Sequence, residues 1–368
     1  MTYDYLIVGA GFAGSVLAER LSNILDKKIL LIDKREHIGG NAYDFYDETG
    51  IRVNKYGPHI FHTNDNVVFE YLSNFTRWYP YNHKVLAKFK GMFYPIPVNR
   101  TTLNLFFEEN LKTEEQAKLY LDKIITKIKT PKNSRDIILN RVGQKLYSAF
   151  FENFTKKLWL ENPENLLPEI CGRIPVRYDE NDSYFSDKYM FMPENGYTTI
   201  FEKMLSGKNI ETVLNTDYKS IIDTVKFNKL IYTGHVDYFF DYQFGKLQYR
   251  SIEFKNEIFE CEKYQPSPVV NYMDDEPYYR STEYKQITLQ NSSKTIISFE
   301  YTIENGVPYY PKLSQESLEI FEKYSSLMKK LNNTIFAGRL AKFRYYNMDQ
   351  VVGNSLKIFR NIISGKND

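Results

Sequence analysis

Apolar positions first bunch at residues 3–8 (YDYLIV), a short run of strand type. Residues 9–14 (GAGFAG) interrupt it. Residues 15–25 then carry Val16, Leu17, Leu21, Ile24 and Leu25 at helical spacing, and a second apolar run over 28–32 ends at Asp33. Residues 102–150 are helical in pattern. Thr113 and Gln116 form a capping box ahead of Ala117, Tyr120, Leu121, Ile124, Ile125 and Ile128, and Ile138, Val142, Leu146 and Ala149 make a second stripe. Such stripes are core faces rather than cofactor contacts. Over 240–300 the period changes to two. Leu247, Tyr249 and Ser251 alternate with Gln248 and Arg250, and residues 286–290 and 295–301 are β-branched and aromatic, which predicts an antiparallel sheet. Leu318, Phe321, Tyr324, Met328 and Leu331 predict a helix before a last strand at 334–337, and residues 231–234 (IYTG) look like another strand ending in glycine.

Composition narrows the class. The 368 residues predict about two to three domains. With 42% apolar and 26% charged residues the chain is globular rather than disordered. No apolar run reaches the ~18 residues of a spanning helix, so no membrane partner is expected. A net charge of +2 gives no nucleic-acid footprint. Cys171 and Cys261 cannot form a disulfide framework, and residues 1–14 do not read as a signal peptide, so the cytoplasm is the expected location.

The turn at 9–14 is a G-x-G-x-x-G in strand–turn–helix–strand context, with Asp33 nineteen residues after Gly14. Gly9 permits the tight turn, Gly11 lets backbone approach a pyrophosphate, and Gly14 lets helix and strand pack closely. The helix N-terminus offers N–H groups to phosphate, and Asp33 can accept from a ribose hydroxyl. A second pair, Gly39-Gly40, follows and resembles the pattern of the glutathione-reductase and amine-oxidase flavoproteins, which favours FAD. In those proteins a late strand ending in glycine returns to the cofactor; residues 334–337 followed by Gly338-Arg339 match it. A discontinuous FAD domain is therefore expected.

With these motifs in hand, the chain closely resembles the bacterial UDP-galactopyranose mutase family. The resemblance rests on HIGGNAY (37–43), KYGPHIFHTND (55–65), RIPVRY (173–178), YFSDKY (184–189), GYT (196–198), YFFDYQFGKLQYRS (238–251), PYYR (277–280), PYYP (308–311) and GRLAKFRYYNM (338–348). It implies an α/β fold: a Rossmann-like FAD domain (1–80, 195–240 and 315–368), an inserted helical domain (100–170) and an antiparallel sheet domain (80–100, 171–195 and 240–315). It implies an isomerase that converts a nucleotide-linked pyranose to its furanose, UDP-galactopyranose to UDP-galactofuranose first. Reduced FAD would attack the anomeric carbon through N5 and expel the diphosphate, which later returns. An external reductant such as NAD(P)H, a homodimer and a product feeding furanose-containing surface glycans are implied as well.

The same resemblance carries roles to matching positions. Arg173 and Arg280 would clamp the diphosphate, and His59 would act beside the flavin, with His62 in the same motif. Gly9, Gly11, Phe12, Ala13, Gly14, Asp33, Lys34, Gly40, Asn41, His59, Ile60, Thr233, Gly338, Arg339, Asn347 and Met348 would hold FAD. Asn82, His83, Phe150, Phe151, Phe154, Thr155, Trp159, Tyr184, Asn271, Tyr310 and Tyr345 would meet the substrate. The segment around 173–184 would close over it. His59-x-x-His62 could be read as a metal pair, but no further ligands stand at zinc-like spacing, so no metal is expected.

Departures cluster around the substrate. Phe154 replaces the family's tyrosine, Leu158 its glutamine, Asn347 its aspartate and Tyr279 its usual threonine; Pro58 and Asp349 are also unusual. These changes are either compensated drift or the mark of another nucleotide sugar: a deoxy, amino or heptose sugar on UDP, dTDP or GDP. The competing classes are an FAD oxidoreductase of the amine-oxidase type and an inactive flavin-binding homologue.

Overall fold

The computed structural model describes residues 2–172, 175–304 and 306–365. The two predicted N-terminal strands are Thr2–Val8 and Ile29–Ile32, flanking the helix Phe12–Leu25. They lie inside a five-stranded sheet in the order Ile210–Val213, Ile29–Ile32, Thr2–Val8, Lys226–Tyr232, Thr334–Phe336, with every neighbouring pair parallel. A parallel sheet is covered on both faces, and Ile29–Ile32 is buried at every position, which is why its sequence (ILLI) is continuously apolar rather than alternating. The strands come from both chain ends and a middle piece. Their carboxyl ends carry the chemistry-bearing turns after Val8, Ile32, Tyr232 and Phe336.

A seven-stranded sheet forms the second layer, ordered Pro308–Pro311, Tyr249–Phe259, Thr295–Ile303, Arg280–Glu283, Val269–Tyr272, Val85–Phe89, Met92–Ile96. It is antiparallel except where Val85–Phe89 meets Val269–Tyr272 in parallel. Those strands are far apart in sequence, so no tight hairpin dictates their direction. The helices Arg100–Phe107, Glu114–Ile124 and Ser134–Tyr147 pack against its Val85/Val269 end in one cluster. The capping box at Thr113 and Gln116 is present. That helix stops at Ile124, short of the predicted stripe, because Thr126 turns its N–H to the Leu139 carbonyl (3.0 Å).

One sequence expectation is corrected. Residues 286–290 were expected in a strand; the chain instead forms the helix Tyr284–Thr288, with Leu289 left-handed at its end (φ +55°). Tyr284 and Ile287, three apart, are both buried in the core, and that packing outweighs the β-branched composition. Among the described residues no helix is long and apolar enough to cross a membrane.

Candidate functional site

The first cleft opens at the carboxyl ends of the parallel strands. Gly9 has φ +107°, and a Cβ on Gly14 would lie 1.9 Å from the Gly9 carbonyl oxygen, so the helix Phe12–Leu25 starts hard against the turn. Gly11 is its N-cap and no side chain caps it. Its first N–H groups therefore face the cleft as an anion site. Asp33 accepts from the N–H of Ala10 (2.8 Å) and of Arg35 (2.9 Å), bracing the glycine turn. Gly40 faces Gly11 so closely that an added Cβ would sit 2.8 Å from the Gly11 Cα. The result is a wall of bare backbone with a dipole end pointing at it, which fits the pyrophosphate of a dinucleotide.

The second cleft lies between the helical cluster and the seven-stranded sheet. A π-helical turn at Ser148–Glu152 joins Ser134–Tyr147 to Asn153–Trp159 and presents Phe150, Phe151, Phe154, Leu158 and Trp159 along one wall. The sheet supplies Arg250, Asn271, Arg280 and Tyr310. The Arg280 Nε donates to Asn271 Oδ1 (2.9 Å), and its Nη1 lies 3.8 Å from Glu300 Oε2. Burial is the largest single influence on Arg280 and disfavours its charge, but Glu300, Tyr279, Tyr184 and Tyr310 together outweigh it and hold the pKa above the ordinary value. Tyr310 and Tyr345 stack at 5.0 Å, with Arg250 4.9 Å and Arg339 4.5 Å from the Tyr310 ring centre. Guanidinium forks and phenols in an apolar wall make a site for a linear polyanion.

The clefts meet at His59, Arg339 and Met348, which line both. The His59 Nδ1 donates to the Gly57 carbonyl (2.8 Å), which leaves Nε2 as an acceptor. Desolvation pushes its pKa down to about 4. The His83 ring, beside Tyr81, is pushed to about 3 by burial and by Arg280, and His235 to about 4 by burial and Lys34. All three stay neutral in the fold until well below the ordinary 6.5. Below pH 6.5 the unfolded chain takes up protons that the folded chain refuses, so stability present at neutral pH is lost as pH falls toward 4. Melting temperature should drop steadily from pH 7.5 to pH 5; a flat or rising series would contradict these assignments.

Of the residues expected at the cofactor, Gly9, Gly11, Phe12, Ala13, Asp33, Lys34, Gly40, Asn41, His59, Thr233, Gly338, Arg339 and Met348 line the first cleft. Gly14 lies behind the turn, while Ile60 and Asn347 line the second cleft instead. Asn347 N-caps the helix Met348–Ile363. Of the substrate residues, His83, Phe150, Phe151, Phe154, Trp159, Tyr184, Asn271, Arg280, Tyr310 and Tyr345 line the second cleft. Two do not. Asn82 is exposed in the irregular segment between the strands Trp78–Pro80 and Val85–Phe89, with the buried Tyr81 and His83 on either side of it. Thr155 is buried on another face of its helix, against Cys171. Arg173 lies outside the described residues. Arg250 was not among the expected residues; its signal was an arginine directly after Tyr249 in a strand. Nor were Thr216, Asp217, Tyr218, His235 and Tyr238 at the far end of the first cleft. His62 also lines the second cleft, where its Nδ1 pairs with Asp187 (2.9 Å) and its ring stacks on Phe185.

Comparison with known proteins agrees with this geometry. Residues 7–75 match the NAD(P)-binding Rossmann-like domain model, and residues 149–345 match the UDP-galactopyranose mutase family model. The dTDP-fucopyranose mutase of Escherichia coli is 35% identical over 365 residues, 96% of each chain. The UDP-galactopyranose mutase of Mycoplasma genitalium is 34% identical over 399 residues, 99% of this chain and 95% of its own. A crystal structure of reduced UDP-galactopyranose mutase superposes with a TM-score of 0.78 at 16% identity, covering 100% of this chain and 95% of that one, which shows the shared fold. The chain belongs to the UDP-galactopyranose mutase family.

Proposed function

We propose that this enzyme interconverts the pyranose and furanose forms of a nucleotide-linked sugar, UDP-galactose first, using FAD that is active when reduced. The observation that carries the reading is the meeting of a dinucleotide cleft with an arginine- and tyrosine-lined cleft at His59, Arg339 and Met348. The bare backbone at Gly11 and Gly40 and the uncapped helix fit FAD. When bound and reduced, the flavin supplies the nucleophile for the anomeric carbon. Everything else falls to the chain. Arg280, Arg250 and Arg339, with Tyr184, Tyr310 and Tyr345, hold the diphosphate and stabilise the charge it gains on leaving. Arg173 takes its part in that clamp from the family resemblance alone. Phe150, Phe151, Phe154 and Trp159 exclude water and offer stacking faces. Neutral His59 presents an acceptor nitrogen rather than a second cation at the junction. The three-part domain division, an external reductant, a homodimer and a cytoplasmic location belong to the same proposal.

A second reading is favoured by one feature. Phe154, Leu158, Ile170, Val269 and Met273 make part of the second cleft apolar, and a dTDP-fucopyranose mutase is as similar to the chain as a UDP-galactopyranose mutase. Reduced protein offered UDP-galactopyranose and dTDP-fucopyranose separates the two. Preferred turnover of the first makes the departures compensated drift; preferred turnover of the second makes them the specificity code.

A further inference from the structure

Arg250 is held unlike an ordinary buried arginine. It is 7% exposed, yet no carboxylate pairs with it among the described residues. Its guanidinium lies over Trp159, Tyr279 and Tyr310, its Nη2 donates to the Tyr279 hydroxyl (3.0 Å), and its buried Nε has no partner. The Tyr279 hydroxyl in turn donates to Glu300 Oε2, the carboxylate that faces Arg280. Backbone pairing sets this chain of contacts. The Tyr279 N–H bonds the Glu300 carbonyl (3.0 Å), Arg280 sits opposite Glu300 in the sheet, and Arg250 sits opposite Tyr310.

We propose that Tyr279 is a positioning residue for the diphosphate site, aiming Arg250 at the anion while leaving its charge unspent and drawing part of the Glu300 charge away from Arg280. The inference rests on the reading that the second cleft takes a nucleoside diphosphate. A carboxylate partner would fix Arg250 equally well but would neutralise it before the ligand arrived. A phenol fixes the fork and neutralises nothing. Burial pushes the Tyr279 pKa well above the ordinary tyrosine value, so the hydroxyl stays a neutral donor to Glu300. Arg250 lines the second cleft, so the part of its guanidinium not tied to Tyr279 is where a phosphate oxygen would bind. A threonine, usual here in the family, carries its hydroxyl beside the backbone and could not span this gap.

The test uses the flavin-bound protein and titrates UDP and dTDP by calorimetry. Tyr279→Phe keeps the ring and removes only the bridge. Affinity for the tighter nucleotide should fall about tenfold, the scale of a hydrogen bond to a charged group. Flavin content should be unchanged. In an Arg250→Gln background the same substitution should cost clearly less, because the part that acts through Arg250 is already gone and only the part that acts through Glu300 and Arg280 remains. Unchanged affinity in Tyr279→Phe, or equal losses in both backgrounds, would overturn the inference. Should Tyr279→Phe fail to fold, Arg250→Lys asks the same question. It keeps the charge but not the fork, so binding should still weaken; wild-type affinity would overturn the inference. Failure of the wild type to bind either nucleotide would instead remove the diphosphate reading, and this inference with it.

Discussion

Arg280→Ala should lower kcat by at least about 100-fold, or about 2.7 kcal/mol of transition-state stabilisation. The guanidinium is half-buried in the second cleft, tied through Nε to Asn271 and facing Glu300 from 3.8 Å. Its charge matters most when the diphosphate leaves the sugar and gains charge, so the loss falls on kcat more than on KM. Removing it also leaves the buried Glu300 with less compensation, which makes the cleft more hostile to an anion. Arg280→Lys should recover only part of the rate, because an ammonium lacks the fork that reaches Asn271 and a phosphate together. Turnover near that of the wild type in flavin-loaded Arg280→Ala would remove the diphosphate clamp from the mechanism.

Gly11→Val should yield a folded protein without flavin. The glycines of the fingerprint differ in this respect. A Cβ on Gly14 would collide with the Gly9 carbonyl at 1.9 Å, and one on Gly9 with the Thr233 hydroxyl at 2.0 Å, so substitution there disrupts the protein itself. A Cβ on Gly11 meets nothing closer than the Gly40 Cα at 3.5 Å, an ordinary contact, and its φ of −83° suits any residue. The backbone at Gly11 can thus take a side chain without a backbone clash, and that side chain would occupy the cleft where the pyrophosphate should lie. Flavin absorbance per protein should fall at least tenfold while far-ultraviolet circular dichroism is unchanged. A fully yellow variant would show that the cofactor lies elsewhere.

The cofactor half of the site was the more legible half, for a physical reason. A pyrophosphate cradle is built from one nearly continuous stretch of strand, turn and helix, so its requirements fall within residues 3–40 and show as glycine spacing. The substrate half is assembled from strands and helices distant in sequence. Arg280, Tyr310 and Trp159 became visible only through resemblance to a family. Arg250 was hidden because an alternating strand assigns one face to the core and the other to solvent by default, and here the second face is also buried. Asn82 and Thr155 failed for the converse reason: each has a neighbour, His83 or Phe154, that lines the cleft, yet the irregular segment leaves Asn82 exposed and helical rotation turns Thr155 toward Cys171. The expected strand at 286–290 became a helix because Tyr284 and Ile287 are buried on one side of a turn. Local β preference gives way when packing needs a spacing of three.

Turnover in the two flavin states decides the mechanism. Anaerobic protein, oxidised or reduced with dithionite, should be mixed with UDP-galactopyranose and with dTDP-fucopyranose, and the products separated by chromatography. The reduced form should interconvert pyranose and furanose over many cycles per flavin with no net consumption of reductant, and the oxidised form should not. Equal conversion by both forms, or conversion that consumes oxidising equivalents in step with product, would show that the flavin acts as a redox partner or a bystander rather than as the nucleophile.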